Sequence, residues 1–419
     1  MPRNASQHSR AQWFFILPKK NQVGYKFFIN PPTSRHQPSL TQDVHIRATQ
    51  GAYNGALRIS LIHEFRMART PEPLPEMEQL EGLIKRARGL VRHEVLGEVA
   101  NRGERMPIHC IEMGSTAPEV PAIGFFGGVH GVERIGTQVL LAYLHTLVER
   151  LRWDDTFAQM LDHVRIVFVP LINPAGMRNQ TRCNGNGVDL MRNAPVDAMS
   201  GAHWLVGGQR LTKHLPWYRG RRDEPMQDEA QMVCRVVQEK LFTHSFSAVL
   251  DCHSGFGTRD RLWFPYARTS EPIDCLAEIY SLRTLFRNTY PQHSIYVIEP
   301  QSRQYTTHGD LWDYLYDESK TKAKGLFMPF TLEMGSWLWV KKNPWQMLQM
   351  PGMFNPVEPH RLMRILRTHL TLFDFMVRAS ISNQRWRPIE SIRPWLHDSA
   401  VAYWSQSSKD ALAARELRR

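Results

Sequence analysis

Short apolar runs that recur between longer amphipathic segments confine this chain of 419 residues to a narrow set of folds. The runs at 121–126, 164–170, 246–251, 295–298 and 326–332 have the length and residue types of buried strands. The segments at 133–151, 226–242, 271–288 and 359–377 repeat apolar residues at helical spacing, and a further helix is expected where Met77, Leu80, Leu83 and Ile84 share a face. A strand with no polar side must be covered on both faces, and interleaved helices supply the cover. The expected fold is an α/β domain with a mixed, largely parallel central sheet and helices on both faces.

That pattern occupies residues 71–383. Residues 1–70 carry ten Lys/Arg against two acids, a net of +8, and show no sustained period. They are expected to form a basic, disordered arm that ends near Thr70-Pro71-Glu72-Pro73, with Met67 a candidate start of the functional chain. Residues 384–419, which hold Trp386, Trp395 and Trp404, are expected to be a tail that either packs on the domain or trails from it. The tail is net +3, which leaves only +1 of the total +12 for the domain itself. A nucleic-acid surface needs a basic face on the fold, so no nucleic-acid partner is expected. No run approaches the ~18 apolar residues of a membrane span, and Trp13–Leu17 is shorter than the ~7–15-residue core of a secretory signal. The expectation is a cytoplasmic protein without a membrane partner. The five cysteines are widely spaced and form no CxxC pair, which argues against a disulfide framework or a cysteine-bound zinc.

The chemistry gathers where strands end. Gly127-Gly128-Val129-His130-Gly131-Val132-Glu133 follows one expected strand and opens the next helix. Residues three apart across a first helical turn can aim an imidazole and a carboxylate at one ion. A plainer explanation also fits the pair, a loop histidine beside a glutamate that favours the helix N-terminus. Val249-Leu250-Asp251-Cys252-His253-Ser254-Gly255 then places another histidine directly after a second buried run. In open α/β sheets functional groups collect at the carboxyl ends of strands, so His253 can join the earlier pair. Two histidines and a glutamate with a fourth position open are a recurrent ligand set for catalytic zinc. His130, Glu133 and His253 are therefore the candidate ligands of one Zn2+ ion.

Further stretches, in the same order along the chain, resemble the zinc carboxypeptidase superfamily from about residue 75 to about 380. Its HxxE motif matches His130 and Glu133, and its distant third ligand matches His253. Its NPxG turn, following arginine and GVDxNRN-like run match Asn173-Pro174-Ala175-Gly176, Arg182 and Gly187-Val188-Asp189-Leu190-Met191-Arg192-Asn193. The resemblance implies that Arg182 stabilises the oxyanion of the scissile carbonyl and that Arg192 clamps the substrate's terminal carboxylate. A planar guanidinium suits both tasks. Tyr305-Thr306-Thr307-His308-Gly309-Asp310-Leu311-Trp312-Asp313-Tyr314 resembles the family's mobile segment. Tyr305 would cap the bound substrate there, and Trp312 would floor the side-chain pocket. Phe330-Thr331-Leu332-Glu333 resembles the strand that carries the general base, which implies that role for Glu333.

One position departs from the pattern. The residue before the clamp arginine is usually Asn in this family, and here it is Met191. The change removes a hydrogen-bond donor worth ~1.5–3 kcal/mol to a charged acceptor. Two activities stay open: carboxypeptidase-like hydrolysis of peptide bonds, and zinc-dependent deacylation in the manner of the aspartoacylase and succinylglutamate desuccinylase-like branch. The Tyr305 segment and the helical C-terminal region favour the first. A catalytically inert binding protein would be expected to have lost a ligand or the base, and all four residues are present. The expected partner is a small peptide or amide substrate.

Overall fold

The computed structural model describes residues 74–416 apart from Ser200 and Gln349. The arm expected at 1–70 and the start at Met67 lie outside the described residues. Eight strands are present among the described residues: β1 Arg92–Asn101, β2 Glu104–Gly114, β3 Ala122–Gly127, β4 Arg165–Val169, β5 Phe246–Ser254, β6 Arg261–Phe264, β7 Val297–Pro300 and β8 Leu326–Met334. They form one mixed sheet in the order β1-β2-β4-β3-β5-β8-β6-β7. Strands β4, β3, β5 and β8 run parallel through its centre. The antiparallel hairpin β1–β2 extends one side through β4, and on the other β6 runs antiparallel to β8 and parallel to β7.

The helices up to the middle of the chain are α1 Pro75–Arg86, α2 Arg134–Arg150, α3 Asp155–Met160, α4 Pro174–Asn179, α5 Asp228–Lys240 and α6 Leu276–Thr289. Then come α7 Leu311–Lys322, α8 Trp337–Lys342, α9 Met350–Phe354, α10 Pro359–Ile381, α11 Asn383–Trp386 and α12 Arg393–Glu416. Successive side chains of a strand point to opposite faces, and β3 shows why this sheet needs two covers. Its Phe125 meets Tyr143 of α2 and Phe373 of α10 on one face. Its neighbour Phe126 meets Trp312 of α7 on the other. Both phenylalanines are wholly buried.

All five expected strands and all five expected helices are present, with ends shifted by a few residues. The hairpin β1–β2, strand β6 and helix α7 were not anticipated as elements. The tail, for which packing on the domain and trailing from it were both open, packs on it. It is mostly the helix α12, which packs on α6. Trp404 is buried there with its indole N–H donating to the Ile298 carbonyl, and Arg393 pairs with Glu278.

Candidate active site

Two close approaches bring the β3–α2 connection against its neighbours. A side chain at Gly136, in the first turn of α2, would sit 2.2 Å from the Cys252 carbonyl oxygen on β5. One at Gly131 would sit 2.0 Å from the Gly176 backbone in α4. Hydrogen atoms at both positions let the loop carrying His130 and Glu133 press onto the end of β5, where His253 stands. On the far side of β5, Glu333 of β8 is the register partner of His253. Four separate stretches of chain thus meet at the carboxyl end of the parallel strands.

The resulting cluster is buried and tightly bonded. Glu133 Oε1 lies 2.9 Å from His130 Nδ1, and Oε2 lies 3.1 Å from His253 Nδ1. Oε2 also accepts the Ser254 N–H at 3.0 Å. The two Nδ1 atoms face each other at 3.3 Å. Their Nε2 atoms point outward to carboxylates, His130 to Asp189 Oδ1 at 3.1 Å and His253 to Asp251 Oδ2 at 2.6 Å. A carboxylate partner holds an Nε2 proton, which leaves the Nδ1 lone pairs converging on the Glu133 oxygens. Acceptors packed that closely repel one another unless a proton or a metal cation lies among them. The donor set of two imidazoles and one carboxylate, with ligand atoms within 4.8 Å of one another, fits zinc.

Charge is distributed unevenly around the cluster. Burial opposes ionisation of Glu133, but His130 and His253 outweigh it and hold the carboxyl well below its usual range. Burial likewise opposes protonation of His253, and Asp251 with Glu133 overcomes it, raising that imidazole well above its ordinary value. Glu333 goes the other way. Burial and the neighbouring Glu133 charge push its carboxyl up to about 8. Its Oε1 accepts the Phe256 N–H at 2.9 Å, which fixes its direction.

The family model for zinc carboxypeptidases matches residues 90–340. The chain belongs to the zinc carboxypeptidase family. Curated relatives include Carboxypeptidase D of Anas platyrhynchos, 26% identical over 174 residues, or 42% of this chain and 11% of that one. Carboxypeptidase SOL1 of Arabidopsis thaliana is 27% identical over 140 residues, 30% of this chain and 28% of the relative. The matched part thus spans well under a third of either relative. Among solved structures, carboxypeptidase A from Helicoverpa armigera superposes with a TM-score of 0.53 at 17% identity, covering 72% of this chain and 71% of the other. Bovine thrombin-activatable fibrinolysis inhibitor, solved with tick carboxypeptidase inhibitor, gives 0.53 at 16% identity over 74% and 97%. These likenesses show the fold. Zinc is the metal of this family, and His130, Glu133 and His253 form the group that can hold it.

The other candidate residues lie around the cluster. Arg182 is committed to it, with Nε donating to Asp189 Oδ2 at 2.8 Å and Nη1 to Glu133 Oε1 at 3.1 Å. Arg192 is buried, with Nη1 on the Met191 carbonyl and an Nε that has no partner among the described residues. Met191 is itself a core residue, its side chain turned into the apolar cluster. Tyr305 packs on Phe256 and Trp263, close enough to Arg192, Glu333 and Arg182 for their charges to act on its phenol. Trp312 is almost fully buried, and its indole N–H donates to Asp251 Oδ2 at 2.8 Å. It therefore supports His253 from beneath, a contact the sequence did not predict. Asp251 and Asp189, which orient the two histidines, likewise have no role that the sequence motifs assign. Asp251 had a signal. It stands two residues before His253 on the same strand, and such residues share a face.

Proposed function

We propose that this chain is a zinc-dependent carboxypeptidase-like peptidase that hydrolyses the terminal amide bond of a peptide. One observation carries the reading: three ligand atoms converge beside a buried, directed glutamate that is register-paired with one of the ligands. A divalent cation bound there supplies Lewis acidity, polarising a carbonyl and making a water acidic near pH 7. Glu333 takes the water's proton and passes it to the leaving amine. Its raised proton affinity suits both halves of that task, and a nearby cation opposes the raising charge of Glu133. Arg182 offers its guanidinium to the developing oxyanion, which requires it to loosen from Glu133. Arg192 holds the departing carboxylate, and Tyr305 closes over it. Trp312, almost fully buried against Phe126 and Asp251, acts through His253 and not on the substrate's side chain.

A digest of a mixed peptide library by the zinc-loaded protein, read by mass spectrometry, tests this function. Stepwise loss of C-terminal residues is expected. Release of acyl groups with intact peptide termini would replace the reading with a deacylase.

A further inference from the structure

A cavity of about 470 Å³ opens beside α8, between the N-terminal half of α10 and the loops that precede β6 and β7. None of the residues assigned to metal, base or substrate lines it. Four cations do: Arg259, Lys342, Arg361 and Arg364. No ion pair joins any of the four to a carboxylate among the described residues, whereas Arg165, Arg261, Arg268 and Arg393 elsewhere in the fold are all paired. Among the described residues Asp260 is the only acid in the lining, and it is turned to other work. Its Oδ1 accepts the Gly335 N–H at 2.9 Å, and its Oδ2 lies 3.9 Å from His369 Nε2. Four positive groups about one hollow repel each other, and an anion placed among them relieves that repulsion.

The rest of the lining is not that of a simple ion site. Ile295, Leu338, Trp339 and Ile365 give it an apolar wall. His369 is only 1% exposed and accepts or donates at Nδ1 with the Tyr296 hydroxyl at 2.8 Å. His293 brings a buried Nε2 that has no partner among the described residues. Burial lowers both imidazoles, His369 to about 4, so at neutral pH they are uncharged polar groups. The volume lies in the range of small-molecule sites, roughly 300–1,000 Å³, and apolar walls with few polar groups are their usual lining.

We propose that this cavity is a second binding site, for an amphiphilic organic anion: a carboxylate or phosphate monoester bearing a short hydrocarbon body. The anionic head meets the arginines and Lys342, and the hydrocarbon lies along Ile295, Leu338, Trp339 and Ile365. Gly335 borders the cavity two residues after Glu333, so occupancy adjoins the strand end that carries the base.

Octanoate and octyl phosphate serve as probes in calorimetric titrations of the zinc-loaded full chain, with inorganic phosphate and octyltrimethylammonium as controls. Saturable binding of at least one octyl anion is expected, and the tighter of the two identifies the head group. In the double variant Lys342→Gln/Arg364→Gln affinity falls by about tenfold or more, as loss of charge-assisted contacts requires. Both side chains are exposed, so the variant keeps its fold and melting temperature. Arg192→Ala serves as the control for anions captured at the peptide site, and leaves this binding unchanged. The proposal is overturned if neither octyl anion saturates, or if the double variant binds as the parent does. It is equally overturned if Arg192→Ala abolishes binding, or if either control binds as tightly as the octyl anions.

Discussion

Glu133 and Glu333 are both buried carboxylates on one site, yet their surroundings drive them apart: histidines keep the first ionised, and desolvation favours a proton on the second. That divergence separates ligand from base and can be tested residue by residue. Glu333→Gln is expected to retain one zinc per chain by elemental analysis while turnover drops by roughly 10²–10⁴, the usual contribution of a general acid–base group. His130→Ala and His253→Ala are expected to lose or weaken the metal itself. Loss of zinc from the Glu333→Gln variant would show that the ligand set is wrong. Asp251 predicts a subtler effect. Asp251→Asn and Trp312→Phe each disturb the carboxylate that orients His253, so zinc affinity measured against a chromophoric chelator should weaken about 10–100-fold. The candidate ligands and the candidate base could be singled out in the sequence because each sits in a short local motif at a strand end. Their support was only half legible: Asp251 shares a face with His253, but Trp312 reaches Asp251 from 61 positions away through the fold.

At the scale of elements, the contact of α2 with β5 decides where the site forms. Gly136→Ala would put a methyl 2.2 Å from the Cys252 carbonyl, and backbone cannot yield as a flexible side chain does. The helix must retreat, and it carries Glu133 at its N-terminus. A loss of about 1–3 kcal/mol in urea unfolding is expected, together with weaker zinc binding. Gly82→Ala in α1 is the matched contrast, because nothing lies within 4 Å of the new methyl. There the substitution should stabilise by about 0.4–1 kcal/mol, through the unfolded chain. Equal responses at the two positions would show that the approach of α2 to β5 is not strained. Elements with continuous apolar runs or strong helical periods were readable from the sequence. Strand β1 was not, because six of its ten residues are exposed and four of those are polar or charged, which leaves no apolar run. Strand β6 has only four residues, too few to establish a period. Helix α12 lacks an amphipathic stripe, and a few anchors such as Trp404 hold it in place.

For the molecule as a whole, His369 makes stability depend on pH. It is buried on α10 and faces Tyr296, Asp260 and His293; burial and His293 lower its proton affinity more than Asp260 raises it. Folded His369 takes a proton only near pH 4, and unfolded His369 near 6.5. Between those values the unfolded state binds more protons, so stability rises with pH across the window and falls on acidification. The loss approaches about 3 kcal/mol at the lower end. Urea midpoints at pH 7 and pH 5 should differ less in His369→Gln than in the parent, and identical differences would exclude the assignment. The pairing of His253 with Glu333 has a different kind of consequence. Their spacing is that of neighbouring strands, about 4.8 Å, and is fixed by main-chain hydrogen bonds. The main-chain positions of His253 and Glu333 therefore keep their spacing whatever sequence is written into the loops around them. Loops that carry no candidate ligand can lengthen, shorten or be exchanged around these two fixed positions, whereas the β3–α2 loop, which brings His130 and Glu133, has no such freedom.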